Sequence, residues 1–321
     1  MTASADPVLA TCPACGSTKA TRLEHIALTE QHRSYSPGNT STANELTRLA
    51  NIPGDQYQML RCHQCDLEFC DPFVAPGDDW YQLVYKTLSL YPGERWEFDF
   101  VPSQLSKHDS IGEIGCGSGE FLKLCRVADI PAMGLDFSKD AIDSCIAAGL
   151  DAKLMDVSGE ASAFIEANRR TTIVAFQVLE HLASPASLFA LASQWSTPDA
   201  SLWVAIPSNR RPSRIFQERD FLDQPPHHMT RWTEDSLKVV GERNGWKLAR
   251  ILYEPMNLMA RVWWIATRTL AYKAFAARPL PKVRPLEMAV RTLIYPWALL
   301  RSLTIGDSMS GQTMMAQYTK A

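Results

Sequence analysis

Two pairs of cysteines are the first residues in this chain whose spacing carries chemistry: Cys12-Pro13-Ala14-Cys15 and Cys62-His63-Gln64-Cys65. A CxxC turn lets two thiolates reach one metal ion, and two such turns complete the tetrahedral sulfur set that zinc takes. With sulfur at all four positions no place is left for water, so the zinc expected of Cys12, Cys15, Cys62 and Cys65 is structural. The 46 residues between the pairs are more than a usual ribbon loop holds. A redox or disulfide reading has less behind it, because MTASADPVLA lacks the features of a secretion signal and neither pair sits in a strand-to-helix context. His63 reads as a bystander, and Cys70 as a spare ligand that the set does not need.

A second cluster is Glu113-Ile114-Gly115-Cys116-Gly117-Ser118-Gly119, which follows the apolar run Ile111 to Ile114 and opens into a helical pattern over Glu120 to Val127. Glycines there let a ligand approach the backbone, and the helix start offers free N–H groups. In a dinucleotide loop the third glycine comes later and a pyrophosphate sits on the helix start. Here the spacing is GxGxG and Glu120 stands next, which favours a less anionic ligand. Asp136 lies 21 residues after Gly115, at the end of the second strand, where an acid accepts from both ribose hydroxyls. Asp156 closes the run Ala152 to Met155 and is placed for an adenine amino group, with Phe137 available to cover the ring.

Positioning such a loop requires a sheet. From Ser110 to Tyr253, β-rich apolar runs at Ile111–Ile114, Ala132–Leu135, Thr172–Phe176 and Leu202–Ile206 alternate with helical patterns, which predicts a parallel sheet wrapped by helices. Ser118, Ser138 and Ser184-Pro185 mark helix starts. Trp246–Tyr253 reads as a sixth strand and Gln312–Lys320 as a terminal strand beside it. The polar run from Ser34 to Thr42 reads as a loop, the least ordered stretch of the chain. The expected organisation is a zinc-ribbon-like region at 1–78, a ligand-binding core at 79–257, a basic amphipathic helical insertion at 258–305, and a terminal core strand at 306–321.

The composition is 46% hydrophobic and 21% charged, enough for a core and against general disorder. A net charge of -3 provides no chain-wide basic field, so nucleic acid is not an expected partner. No run of about 20 residues is both apolar and uncharged, so a cytoplasmic, non-spanning chain is expected. Within 258–305, eight basic residues face Glu287 alone, a net of +7 that leaves -10 for the remainder of the chain.

In EIGCGSG, GLDFSKDAI, VLEHLASP and PPHHMTRW the chain resembles the class I S-adenosylmethionine-dependent methyltransferases, in the subgroup with an N-terminal zinc ribbon. The likeness covers about residues 70 to 257 and the terminal strand. It implies an α/β fold with a Rossmann-like, doubly wound sheet and an antiparallel last strand. By the resemblance, Glu113 and the loop Gly115, Cys116, Gly117 and Gly119 hold the methionine part of S-adenosylmethionine, Asp136 the ribose, and Asp156 with Val157 the adenine, while Gln177 borders the cofactor. The family usually has an acid at the start of the fourth strand, where this chain has Thr171-Thr172; the departure is expected to touch substrate selection rather than cofactor binding.

Methyl transfer to a hydroxyl gains from a base, and histidine suits that role. His181 sits past the fourth strand, at the carboxyl edge where ligands of open α/β sheets lie, so it ranks ahead of His228 and His227, which follow Pro225-Pro226 in a loop. The insertion is read in two ways. Its tryptophans and leucines form a cap over the site, or, with its arginines, a surface for the inner face of a membrane or for an anionic lipid-linked acceptor. The function expected is an enzyme that methylates a small-molecule, saccharide or lipid-linked acceptor at oxygen. Methylation of a sugar at carbon, and a non-catalytic cofactor-binding scaffold, are the alternatives.

Overall fold

The computed structural model describes residues 7–88, 95–155, 163–269 and 284–321. The chain begins with β1 (Pro7–Leu9), β2 (Lys19–Ala27), α1 (Leu28–Tyr35), α2 (Thr40–Ala50), β3 (Gln56–Cys62), β4 (Glu68–Asp71), α3 (Asp78–Leu88) and α4 (Trp96–Phe100). It continues through β5 (Ile111–Ile114), α5 (Glu120–Val127), β6 (Ala132–Asp136), α6 (Lys139–Ala147), β7 (Ala152–Leu154), α7 (Ala163–Ala167), β8 (Arg170–Phe176), α8 (Pro185–Trp195) and β9 (Ser196–Pro207). After these come α9 (Pro212–Ile215), β10 (Thr230–Arg231), α10 (Glu234–Arg243), β11 (Trp246–Tyr253), α11 (Leu258–Thr267), α12 (Arg284–Ile305) and β12 (Thr313–Lys320).

Two compact units are present. The first takes in Met1–Pro207, Asp220–Leu252 and Met314–Ala321, and the second Ser208–Arg219 with Tyr253–Thr313, wider than the insertion read at 258–305. The first unit holds a seven-stranded sheet in the order β11-β12-β9-β8-β5-β6-β7, parallel apart from its last strand. Ile111 pairs with Ala132 and Thr172, and Ile114 with Leu135 and Ala175, so the carboxyl ends of β5, β6 and β8 finish level. The chain leaves β5 toward β6 and β7, then returns to β8 and β9 on its other side. That reversal opens a crevice at the carboxyl edge, the usual ligand position of an open α/β sheet.

Strands β5 and β8 are buried on both faces, which is why they read as continuous apolar runs. Phe98, Phe121, Phe176 and Trp203 form one core, with Phe121 edge-on to Phe176 at 4.9 Å between ring centroids. Ser138 caps α6 through the Ala141 N–H, and Thr233 with Ser236 forms a reciprocal cap at the start of α10. Thr171, at the amino-terminal end of β8, donates to Asp109 and accepts from the Ser110 N–H. It therefore lies at the edge opposite the glycine loop.

Five further strands, β1-β2-β3-β4-β10, form an antiparallel sheet over the N-terminal residues. Its core is Ile26, Leu28, Tyr35, Leu46, Tyr57, Met59, Trp80, Tyr81 and Met229. The expected loop over Ser34–Thr42 is confined to residues 36–39, between α1 and α2. Asn39 accepts from the Thr42 N–H and caps α2, while Ala43, Leu46 and Ala50 bury one face of it. The Ser, Thr and Asn residues read as loop formers act here as a helix start.

The second unit pairs α11 with α12 through Val262, Ile265, Ala266, Ile294 and Ala298. Arg268 makes a bidentate pair with Glu218, at 2.8 and 3.0 Å, and lies over the Trp264 ring. Among the described residues, no helix is long and apolar enough to cross a membrane.

Candidate cofactor and acceptor site

The glycine loop leaves β5 in a left-handed backbone, with φ of +77° at Gly115, +50° at Gly117 and +80° at Gly119. A side chain at Gly115 would fall 2.4 Å from a Val178 methyl, whereas one at Gly117 would enter open space. The loop is thus pressed onto the segment that follows β8 at one residue and open to a ligand two residues later. Asp136 holds it in place, because Oδ2 accepts from the Gly117 N–H and Oδ1 from the Ser138 N–H, both at 2.8 Å. Each carboxylate oxygen keeps a lone pair for a further donor. The Cys116 side chain packs toward Gly134, so Cys116 offers a ligand its backbone alone.

Glu113 is buried and its Oε2 has no partner. Burial first, and Asp136 second, push its carboxyl well above the usual range. Asp136 is also raised, since burial outweighs its backbone hydrogen bonds. Two buried acids of this kind favour a cationic ligand group. Phe137 is half exposed beside Asp136. Gln177 follows β8 with φ of +56°, and its Nε2 donates to buried Glu97 at 3.2 Å. Asp156 and Val157 lie outside the described residues.

Beyond the loop the three histidines come together. Ring centroids are 4.7 Å apart for His181 and His227, 4.8 Å for His181 and His228, and 4.6 Å for the stacked His227 and His228. Each Nδ1 has an oxygen partner: the His227 carbonyl for His181 at 2.6 Å, the Leu222 carbonyl for His227 at 2.9 Å, and Asp223 Oδ1 for His228 at 3.2 Å. Carbonyl acceptors fix the proton on Nδ1 of His181 and His227. Burial, then the neighbouring histidines, hold His181 well below the usual imidazole range, and His227 falls to about 3 for the same reasons. Both rings are neutral at physiological pH. Tyr81 of α3 joins this cluster to the cofactor side, edge-on to His181 at 5.7 Å and to Phe137 at 6.4 Å.

Glu180, Tyr81, Glu97 and Asp223 carry roles that the sequence reading left unassigned. Glu180 is buried, neither carboxylate oxygen has a partner, and burial pushes it up to about 7 against a downward pull from His228. Its motif, VLEHL, was the available signal for Glu180; Tyr81 showed itself only as one of several aromatics.

At the far end of the N-terminal sheet, Cys12, Cys15, Cys62 and Cys65 are buried thiols with all four sulfurs within 4.8 Å of one another. The two turns match: Gly16 and Asp66 each follow the second cysteine with positive φ, and the Ser17 and Gln64 N–H groups each donate to sulfur at 3.4 Å. The hydrogen bond from Cys65 draws Cys12 down to about 5, while burial lifts Cys15 to about 11. Four convergent thiols with backbone donors on sulfur fit a tetrahedral thiophilic cation.

Residues 97–251 match the family described as Methyltransferase domain. Ubiquinone biosynthesis O-methyltransferase from Methylococcus capsulatus is 25% identical over 124 residues, 37% of this chain and 52% of the relative. The chain thus spans about half the length of the curated relative it matches. A solved S-adenosylmethionine-dependent methyltransferase from Archaeoglobus fulgidus is similar at 18% identity and a TM-score of 0.46, over 75% of this chain and all of that one. Another from Mesorhizobium loti is similar at 15% identity and a TM-score of 0.43, over 70% of this chain and 97% of that one.

Proposed function

We propose that this chain, whose residues 97–251 belong to the methyltransferase-domain family, transfers a methyl group from S-adenosylmethionine to a hydroxyl of a small-molecule, saccharide or lipid-linked acceptor. The observation that supports it is one run of adjoining rings, Phe137 to Tyr81 to His181 to His227, which connects the ribose acid Asp136 to the histidine cluster. S-adenosylmethionine supplies a methyl carbon on a sulfonium, so the acceptor attacks in line and alignment carries much of the acceleration. The backbone of Gly115–Gly119 and the carboxyl of Glu113 receive the methionine part. Asp136 takes the ribose, and Phe137, Asp156 and Val157 the adenine, with Gln177 at the border. His181 faces the acceptor, where Nε2 takes the hydroxyl proton while Nδ1–H stays on the His227 carbonyl. His228 and His227 stand behind it. Cys12, Cys15, Cys62 and Cys65 hold a structural zinc.

Titration calorimetry tests the cofactor half. Folded, metal-loaded protein that ignores S-adenosylmethionine and S-adenosylhomocysteine at millimolar concentration would overturn the reading. Uptake of labelled methyl from a metabolite extract tests the acceptor half, and label appearing at carbon of a sugar would favour the second reading.

We also assign the second unit a peripheral contact with anionic lipid. Leu293, Trp297, Leu300 and Leu303 share one face of α12 and are each half or more exposed, while Met259 and Trp263 are exposed on α11. Flotation with anionic liposomes at low salt checks it, and absence of binding there would exclude it.

A further inference from the structure

We propose that His181, His227 and His228 form a site for a divalent transition-metal cation, separate from the cysteine cluster. One ring nitrogen from each histidine lies within 4.8 Å of the others. With every Nδ1 tied to an oxygen, Nε2 is the atom each ring has free. A tetrahedral cation with bonds of about 2.0 to 2.1 Å needs nitrogens about 3.3 Å apart, so the rings must close by up to about 1.5 Å.

The orphaned atoms distinguish this from a packed trio of imidazoles. His227 Nε2 and both oxygens of Glu180 are buried without partners. A buried ring nitrogen without a partner is costly, and a cation held by the three rings would give His227 Nε2 one. Glu180 adjoins His181 in sequence, its carbonyl accepts from the Met229 N–H at 2.8 Å, and its carboxyl feels His228. The outer groups also fit. Metal-bound histidines commonly give their second N–H to a carbonyl or carboxylate. Asp223 does this for His228 and is itself held by Arg231 Nε at 3.1 Å. Three imidazoles suit zinc, iron(II) or cobalt(II) rather than calcium or magnesium.

The site stands on these contacts alone; its purpose, to hold the acceptor oxygen, rests on the transferase reading. With the cation bound, His181 would be a ligand rather than the base, and the metal would make a coordinated hydroxyl more acidic, its proton passing to solvent.

Stripped full-length protein titrated with cobalt(II) should take two equivalents. One brings thiolate-to-metal charge-transfer absorption, and the other adds ligand-field bands without more of it. His227→Ala should lose the second equivalent and keep the first. Asp223→Asn leaves every ligand in place and should weaken the second by about 10- to 100-fold, which covers the case of a variant that does not fold. A wild-type chain that binds cobalt at the cysteines alone, or variants that still bind two, would overturn the proposal. Methyl transfer at full rate with metal at the cysteines alone sinks the cation site and leaves the transferase; a second bound cobalt without cofactor binding does the reverse.

Discussion

Replacing Asp136 by Asn tests the centre of the cofactor reading with little change of shape. In the native chain both oxygens accept backbone N–H groups, at 2.8 Å each. An amide retains one acceptor and turns an NH2 toward the N–H of Gly117 or of Ser138, setting donor against donor. A hydrogen bond to a charged partner contributes roughly 1.5–3 kcal/mol. Losing the charge toward the ribose, plus part of the loop contact, should remove about 2–4 kcal/mol of binding. At 1.4 kcal/mol per tenfold, the Kd for S-adenosylmethionine and for its demethylated product should rise by about 30- to 700-fold. Calorimetry reads both, and circular dichroism reports the fold. A Kd within about threefold of wild type, in a folded variant, would refute the assignment of Asp136.

His181→Ala should lower methyl transfer by about 100-fold or more with cofactor Kd changed less than about threefold, measured by labelled transfer and calorimetry; equal losses would mark a packing role. Cys12→Ser should release the cysteine-bound metal, seen by native mass spectrometry, and lower the melting temperature; metal retained at full occupancy would count against the four-sulfur site. His32 is fully buried, and burial lowers it from 6.5 to about 4, while Trp80 Nε1–H donates to its Nε2 at 3.2 Å. The unfolded chain therefore binds its proton first. Stability should be fully present above about pH 6.5 and fall as pH drops toward 4, by on the order of 3 kcal/mol. Urea unfolding of wild type and His32→Gln across that window should show the slope flattened in the variant.

The cofactor half of the site was legible because its signals are local. Gly115, Gly117 and Gly119 are separated by single residues, and Asp136 falls one strand and one helix later, so spacing nearly dictates their meeting. Likewise the CxxC pairs announce four convergent thiols wherever the intervening chain goes. The acceptor half depends on contacts made at long range. Tyr81 comes from a helix about a hundred residues before His181, and His227 and His228 arrive through a two-residue strand that no pattern reveals. Glu180 was in view as part of a motif, but its missing partners are a property of packing. Ser34–Thr42 misled because polar residues that end one element can begin another.

Arg231 and Thr230 align with Glu68 and Phe69 on β4, Cys70 N–H donates to the Met229 carbonyl, and Thr233 reaches the Cys65 carbonyl. The histidine pair is therefore anchored to the same few residues that carry one of the cysteine turns. If the four thiols hold the proposed zinc, its loss would let this seam slip and disperse the imidazoles, while the Gly115–Gly119 bend, fastened to β6 through Asp136, would keep its shape. Cys12→Ser should thus lower turnover far more than nucleoside affinity, making the N-terminal sheet a jig for the reacting end of the molecule.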